Sequence, residues 1–70
     1  MNACVKLKGI DAPVYVENVE MIKTERSNTG AKTEIKDFKE FSFYSNLYYI
    51  FVGKNILHIW GHNIEYVLFV

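Results

Sequence analysis

Three short runs of β-branched and aromatic residues fill the last third of the sequence, at Leu47–Val52, Ile56–Trp60 and Ile64–Phe69. A Gly-x-Asn-Ile motif links them, because Gly53-Lys54-Asn55-Ile56 recurs as Gly61-His62-Asn63-Ile64. Runs of this length and composition, separated by glycine, are typical of strands rather than of a buried helix. The pattern therefore predicts a C-terminal three-stranded β-meander.

The register of this meander is predicted from the face on which the polar groups fall. If each glycine opens a two-residue turn, it takes the first central position of a type II′ turn, which needs a positive φ. Tyr49 then lies opposite His58, and His58 lies opposite Glu65. This register gathers the polar groups on one face, whereas a three-residue loop would mix them between faces. We expect the opposite face to be core, with these side chains buried: Ile50, Leu57, Ile59, Ile64 and Leu68.

The first two-thirds of the chain has weaker strand signals. Residues 5–7 alternate apolar and charged side chains, which predicts a short edge strand. Residues 27–30 form a predicted turn, after which Lys32 to Ile35 is expected to return as the second strand of a hairpin. Residues 13–26 fit either a strand or a helix, and the three valines favour a strand.

These elements predict the fold class. The best-defined sheet is apolar on both faces, so other strands must cover it. We predict an all-β fold, a small antiparallel barrel or sandwich of about six strands in a single domain, residues 1–70. Its length is similar to that of SH3-like barrels, which is an analogy of size alone. Half of the residues are hydrophobic and 16% are aromatic, which supplies the dense packing that a chain of this size needs.

Charge and cysteine usage restrict the expected partners and location. Eight Lys and Arg balance eight Asp and Glu, which argues against a strongly electrostatic nucleic-acid or membrane-surface binder. No uninterrupted apolar stretch reaches about 18 residues, and the N-terminus lacks the pattern of a signal peptide. The single cysteine, Cys4, is expected to be a buried, reduced thiol. We predict a cytoplasmic protein with no membrane partner.

The sequence contains no arrangement typical of catalysis. His58 and His62 fall on a strand and at a turn, so they are expected to project apart, and no ligand spacing supports a metal site. Cys4 has no predicted base beside it. Paired carboxylates, a phosphate-binding loop and a Ser/His/Asp arrangement are not found. We predict that the chain is not an enzyme and has no catalytic residue, metal or cofactor.

The face of the predicted meander that carries the polar groups also carries Tyr and Trp. It is the candidate functional surface, because Trp and Tyr are enriched at protein interfaces. We predict a non-catalytic module that acts through protein contacts, first with its own copy. The candidate interface residues are Tyr49, Phe51, His58, Trp60, Glu65 and Phe69. A second interpretation, which needs no partner, is that the N-terminal strands cover this face. One alternative function is a barrel that binds single-stranded nucleic acid, for which Lys54 is the only nearby cation. Another is a small accessory protein of a bacterium, phage or mobile element. The short chain, its low net charge and an amino-acid composition typical of an AT-rich genome suggest this role.

Overall fold

A computed structural model describes residues 1–26 and 28–70 of the chain. This part of the chain forms seven strands. They are β1 (Ala3–Leu7), β2 (Val14–Val16), β3 (Met21–Arg26), β4 (Lys32–Ile35), β5 (Leu47–Val52), β6 (Ile56–Trp60) and β7 (Ile64–Phe69). Two single-turn 3-10 helices span Phe38–Glu40 and Gly61–Asn63. Ser27, in the predicted turn at residues 27–30, lies outside the described residues.

The strands form two antiparallel sheets. The three-stranded sheet has the order β2-β1-β7, and the four-stranded sheet has the order β4-β3-β5-β6. The predicted class, a small all-β protein with antiparallel sheets, is confirmed. Within the described residues, no helix is long and apolar enough to cross a bilayer.

The core lies between the two sheets, where alternate side chains of each sheet meet. Ala3 and Val5 of β1, Ile22 of β3, and Tyr49 and Phe51 of β5 have no exposed surface. Each sheet thus buries one face against the other, which is the usual way in which a two-layer β protein removes apolar surface from water.

Aromatic rings from the β4–β5 connection extend this core. The Phe41 ring makes edge-to-face contacts with Phe51 and Phe69, with ring centroids 6.0 and 5.7 Å apart. Phe38 stacks on Phe69 at 5.0 Å. Edge-to-face and offset-stacked pairs are the favoured ring geometries. The connection therefore packs onto both sheets at once.

The N-terminal strands agree with the sequence in position but not fully in arrangement. Residues 13–26, which fitted either a helix or a strand, contain the two strands β2 and β3, so the favoured interpretation is confirmed. Asn18, between them, has a φ of 49°, a left-handed value that asparagine tolerates better than most residues. The predicted edge strand at residues 5–7 belongs to β1, which instead lies at the centre of its sheet.

The third C-terminal strand leaves the predicted meander. β5 and β6 form a hairpin, but β7 pairs with β1 in the other sheet, from Ala3 opposite Phe69 to Leu7 opposite Ile64. The 3-10 helix Gly61–Asn63 stands where a two-residue turn was predicted. Because the chain changes sheets at this turn, the predicted cross-strand row of Tyr49, His58 and Glu65 does not form.

The β5–β6 hairpin is shifted by one residue from the predicted register. Its loop has three residues, 53–55, so Ile50 lies opposite His58 and Tyr49 lies opposite Ile59. The prediction was right about the inward face of β6 and wrong about that of β5. Of the five side chains expected in the core, Ile64 is buried, and Leu57 and Ile59 pack half-buried against the core. The other two, Ile50 and Leu68, lie on outer faces of the sheets.

Contacts with the β2–β3 corner explain the three-residue loop. The backbone N–H of Lys54 donates to the carbonyl oxygen of Glu17 at 2.8 Å. The Asn55 side-chain amide accepts from the Glu17 N–H at 3.0 Å through Oδ1 and donates to the Tyr15 carbonyl oxygen at 2.8 Å through Nδ2. The loop is therefore stabilised by a distant part of the chain rather than by turn chemistry alone.

The two glycines of the repeated motif are needed for close approach, not for a positive φ as predicted. A Cβ at Gly53 would meet the carbonyl oxygen of Glu17, and a Cβ at Gly61 would meet the carbonyl oxygen of Tyr44. Among the glycines of the described residues, positive φ values occur at Gly9 and Gly30, in other loops. Each copy of Gly-x-Asn-Ile thus brings a strand end against a backbone carbonyl from elsewhere in the fold.

Candidate functional site

Half of the predicted interface residues lie in the core. Tyr49 and Phe51 face inward from β5 and have no exposed surface. Phe69 is half-buried and stacks on Phe38. Tyr49 and Phe51 therefore cannot reach a partner, and their placement on an exposed face is wrong. Phe69 keeps part of its surface exposed. Their burial follows from the register of the β5–β6 hairpin and from the transfer of β7 to the other sheet.

Glu65 lies on a different sheet from the histidine with which it was expected to pair. Its Oε2 atom is 3.0 Å from the Nζ atom of Lys6, in an ion pair between β7 and β1. The Lys6 side chain is 17% exposed and that of Glu65 is 53% exposed. The predicted His58–Glu65 contact is replaced by this ion pair, so Glu65 takes no part in a site with His58.

His58 and Trp60 do share an exposed surface, the outer face of the four-stranded sheet. We define this outer face by the side chains that alternate away from the core on its four strands. They are Lys32 and Glu34 of β4; Met21, Lys23 and Glu25 of β3; Tyr48, Ile50 and Val52 of β5; and Ile56, His58 and Trp60 of β6. β4 and β3 contribute mainly charged groups, whereas β5 and β6 contribute apolar and aromatic groups. The outer face therefore has a charged half and an apolar half.

Four rings form an aromatic row along the apolar half: Tyr48, His58, Trp60 and His62. The Tyr48 ring meets the Trp60 ring edge-on with centroids 4.9 Å apart, and His58 lies 6.0 Å from Tyr48. His62, in the second 3-10 helix, stacks on Trp60 at 6.1 Å. The two histidines were expected to project apart, but both flank the same Tyr48–Trp60 pair. Trp60 remains 37% exposed.

The charged half contains an open groove of about 470 Å³ whose lining includes Lys23, Glu25, Lys32, Glu34 and Ile50. In the register of β3 and β4, Lys23 lies opposite Glu34 and Glu25 lies opposite Lys32. Opposite charges at directly opposed positions are favourable in a sheet. The groove thus carries two positive and two negative groups and offers no net charge to a ligand.

A second apolar patch lies on the outer face of the three-stranded sheet. Tyr15, Tyr66 and Leu68 are exposed there, around the buried thiol of Cys4. A side-chain hydrogen bond with Cys4 raises the pKa of Tyr15 above its ordinary value, and charge repulsion from Cys4 and Tyr66 acts in the same direction. Cys4 is buried as expected.

Among residues 1–26 and 28–70, no three or more His, Cys, Asp or Glu side chains are grouped so that they could hold a metal ion. The aromatic row can bury rings and aliphatic side chains of a partner.

Comparison with protein-family models, with curated proteins and with solved structures finds no match to this chain. The class that the fold and the surface define is a small all-β protein of two antiparallel sheets, with an aromatic outer face on the larger sheet.

The candidate interface left out Ile56, although the predicted register placed it on the same face of β6 as His58 and Trp60. Sequence reasoning also missed three further residues of the surface, Tyr48, Ile50 and His62. Their outward orientation depends on the three-residue hairpin loop and on the 3-10 helix at Gly61–Asn63. The sequence did contain one indication of the three-residue loop. With that loop, His58 lies on the same face as Tyr48 and Ile50. The preference for fully segregated faces gave the wrong choice.

Proposed function

We propose that this chain is a non-catalytic β module that acts through protein contacts, with a second copy of itself as the first partner. The observation that carries the proposal is the apolar half of the outer face. Ile56 is 60% exposed and Trp60 is 37% exposed, and they lie on the same strand as His58. An exposed apolar patch with a polar border is typical of interaction surfaces, and Trp and Tyr are the most frequent anchors of such surfaces.

Charge supports a protein partner over a nucleic acid. Proteins that stack single-stranded bases on aromatic rings combine those rings with a cationic groove that follows the phosphates. Here the groove beside the aromatic row alternates lysine and glutamate. Glu25 lies directly opposite Tyr48 across β3 and β5, so a phosphate near that ring would meet a carboxylate.

Charge also supports a second copy as that partner. The formal net charge of the chain is zero, so two copies do not repel each other as strongly charged chains do. A two-fold axis through the apolar half would bring apolar groups against apolar groups and leave the charged halves in solvent. Closed two-fold symmetry is the commonest arrangement among homo-oligomers.

The proposal places the protein in the cytoplasm. The free, buried thiol of Cys4 supports this location, because the cytoplasm keeps thiols reduced. The short chain and its composition support an accessory role in a bacterium, phage or mobile element.

Sedimentation velocity of three proteins tests the proposal. The wild type is expected to associate with increasing concentration, and Trp60→Glu is expected to remain monomeric, because it places a carboxylate in the apolar half. Leu68→Glu is the matched control, since Leu68 is 52% exposed on the other sheet, and it should associate like the wild type. Circular dichroism verifies that each variant is folded.

Two results would contradict the proposal. A wild type that stays monomeric at high micromolar concentration argues against self-association. Association that is lost in Leu68→Glu and kept in Trp60→Glu would place the interface on the three-stranded sheet.

A gel shift tests the alternative function, the binding of single-stranded nucleic acid. Tight binding of a single-stranded oligonucleotide with a steep salt dependence would favour a nucleic-acid partner over a protein partner.

A further inference from the structure

We infer that the second copy adds to the free edge of β6, so that two β6 strands pair antiparallel and join two four-stranded sheets into one continuous sheet. This inference rests on the proposed function and specifies how the two copies meet. Sheet edges carry unpaired backbone N–H and C=O groups, whose natural partner is another extended strand. Such pairing requires an edge strand that is open and whose sequence fits its own copy.

Among the described strands, β6 is the edge that lacks the usual protection. The sheet orders leave four edge strands, which are β2 and β7 in one sheet and β4 and β6 in the other. Short length, nearby proline and charged side chains protect an edge from pairing. β2 has three residues and follows Pro13, β4 carries Lys32 and Glu34, and β7 carries Glu65. β6, Ile56–Trp60, has five residues without a charged side chain or a proline.

The inward side chains of β6 show that this edge is incompletely covered. Leu57 and Ile59 face the core, yet they are only half-buried, whereas Tyr49 and Phe51 on the neighbouring strand are fully buried. A strand added beyond β6 would cover the exposed side of both residues. Burial of this apolar surface would favour association.

The sequence of β6 fits its own copy in the antiparallel direction. With a two-fold axis at His58, every one of the five residues has a partner. Ile56 lies opposite Trp60 of the second copy on the outer face, and Leu57 lies opposite Ile59 of the second copy on the inner face. Aromatic and β-branched pairs across strands are favourable.

The pairing also explains where the apolar half of the outer face lies. β5 and β6 form the end of the four-stranded sheet at which the second copy would add. The apolar halves of both copies then meet across the new strand pair, while both charged halves lie at the far ends. The two aromatic rows become parts of one surface.

Disulfide trapping tests the pairing. Single cysteines are introduced into the Cys4→Ala background, and mild oxidation is followed by non-reducing electrophoresis. His58→Cys is expected to form linked dimers, because residues directly opposite each other in a sheet lie within the Cα separation that a disulfide spans. Ile56→Cys is the matched control on the same strand and face. Its two copies are offset by four residues, roughly 13 Å, so it should not link to itself.

A mixture gives a second, independent readout. Ile56→Cys mixed with Trp60→Cys is expected to yield the mixed disulfide, although Ile56→Cys alone yields none. Glu34→Cys, exposed on the opposite edge strand β4, should not link. Because Ile56 and His58 are exposed, these substitutions leave the core intact, and circular dichroism verifies the fold.

The outcomes separate the two proposals. Linkage through His58→Cys and through the mixed pair supports β6 pairing. A protein that sediments as a dimer but links through Glu34→Cys, or links equally well through Ile56→Cys alone, overturns β6 pairing and leaves self-association standing. A protein that stays monomeric at high micromolar concentration, with no linkage at any position, overturns both.

Discussion

The backbone N–H of Tyr44 donates a 2.7 Å hydrogen bond to the hydroxyl oxygen of Tyr49. Tyr49 has no exposed surface, so this bond gives its polar end a partner inside the fold. The carbonyl oxygen of Tyr44 lies against Gly61. The Tyr44 peptide region is therefore held by β5 on one side and by the turn before β7 on the other.

Removal of the Tyr49 hydroxyl should destabilise the protein. In Tyr49→Phe the Tyr44 N–H loses its acceptor, and we expect a loss of about 1–3 kcal/mol in the free energy of unfolding. Urea denaturation measures it. Tyr66→Phe is the control, since its hydroxyl is on an exposed side chain, and it should change stability by less than about 0.5 kcal/mol. Equal losses in the two variants would show that the Tyr44–Tyr49 bond contributes nothing.

Stability should fall in alkaline solution partly through the same side chain. Burial raises the pKa of Tyr49 above its ordinary value of 10.0, despite the opposing effect of the Tyr44 hydrogen bond. The folded state keeps this proton longer than the unfolded state. The contribution is therefore fully present below the ordinary pKa and is lost as pH rises through the folded-state pKa. Above pH 10 the melting temperature of the wild type should fall more steeply than that of Tyr49→Phe.

Tyr15 provides the control for the alkaline measurement. Its pKa is raised as well, but the side chain is 53% exposed, and solvent screens its interactions. The pH dependence of Tyr15→Phe should stay close to that of the wild type. If Tyr15→Phe flattened the alkaline fall more than Tyr49→Phe, burial of Tyr49 would not be its main cause.

Gly61 should tolerate no side chain. An added Cβ meets a backbone carbonyl, which cannot move aside as a flexible side chain can, so Gly61→Ala should cost about 1–3 kcal/mol, as for other overpacked sites. Gly30→Asn is a suitable control, because Gly30 has a φ of 69° and open space around its Cβ position, and asparagine accepts this conformation. Thermal denaturation compares the two. A Gly61→Ala variant as stable as Gly30→Asn would contradict the close approach at this turn.

Alanine substitutions in β5 test the hairpin register directly. Phe51→Ala should cost about 3–5 kcal/mol, because it removes a fully buried ring from the core. Ile50→Ala, one residue away on the outer face, should cost about 1 kcal/mol. Denaturant titration of both variants measures the difference. The opposite order would restore the two-residue turn, with Ile50 in the core.

Asn55 should contribute more to stability than Asn63, although both occupy the third position of the same motif. Asn55→Ala loses two side-chain hydrogen bonds to the β2–β3 corner, at about 0.5–1.5 kcal/mol each. Asn63 accepts a bond from Lys8 through its backbone carbonyl, which Asn63→Ala retains. Equal melting temperatures for the two variants would indicate that the Asn55 contacts do not hold the loop.

The strands themselves could be predicted because their signals are local. The runs at Leu47–Val52, Ile56–Trp60 and Ile64–Phe69 coincide with β5, β6 and β7, since β-branched and aromatic residues are enriched in strands. Their pairing could not be predicted in the same way. The loop length depends on contacts between Asn55 and Tyr15, which lie 40 residues apart in the sequence.

The candidate site shows the same division. His58 and Trp60 were assigned to the exposed face of β6, and they are there, because alternation within one strand is local. Tyr49 and Phe51 were misplaced since their orientation depends on a tertiary contact at the hairpin loop. Glu65 was misplaced because the close approach of Gly61 to Tyr44 turns the chain into the other sheet. The predicted and observed surfaces therefore differ because of two tertiary contacts, the contact of Asn55 with the β2–β3 corner and the close approach of Gly61 to Tyr44.

The pairing of β1 with β7 also determines when the fold can be completed. Asn2 and Val70 exchange two backbone hydrogen bonds of 2.7 and 2.8 Å, across nearly the whole length of the chain. Pairing between such distant segments slows folding. During translation β1 is the first strand to be made and β7 the last. β1 can therefore pair with β7 only when all seven strands have been synthesised. Cys4 lies opposite Leu68 in this pairing, so the burial of its thiol is complete only when the final strand is in place.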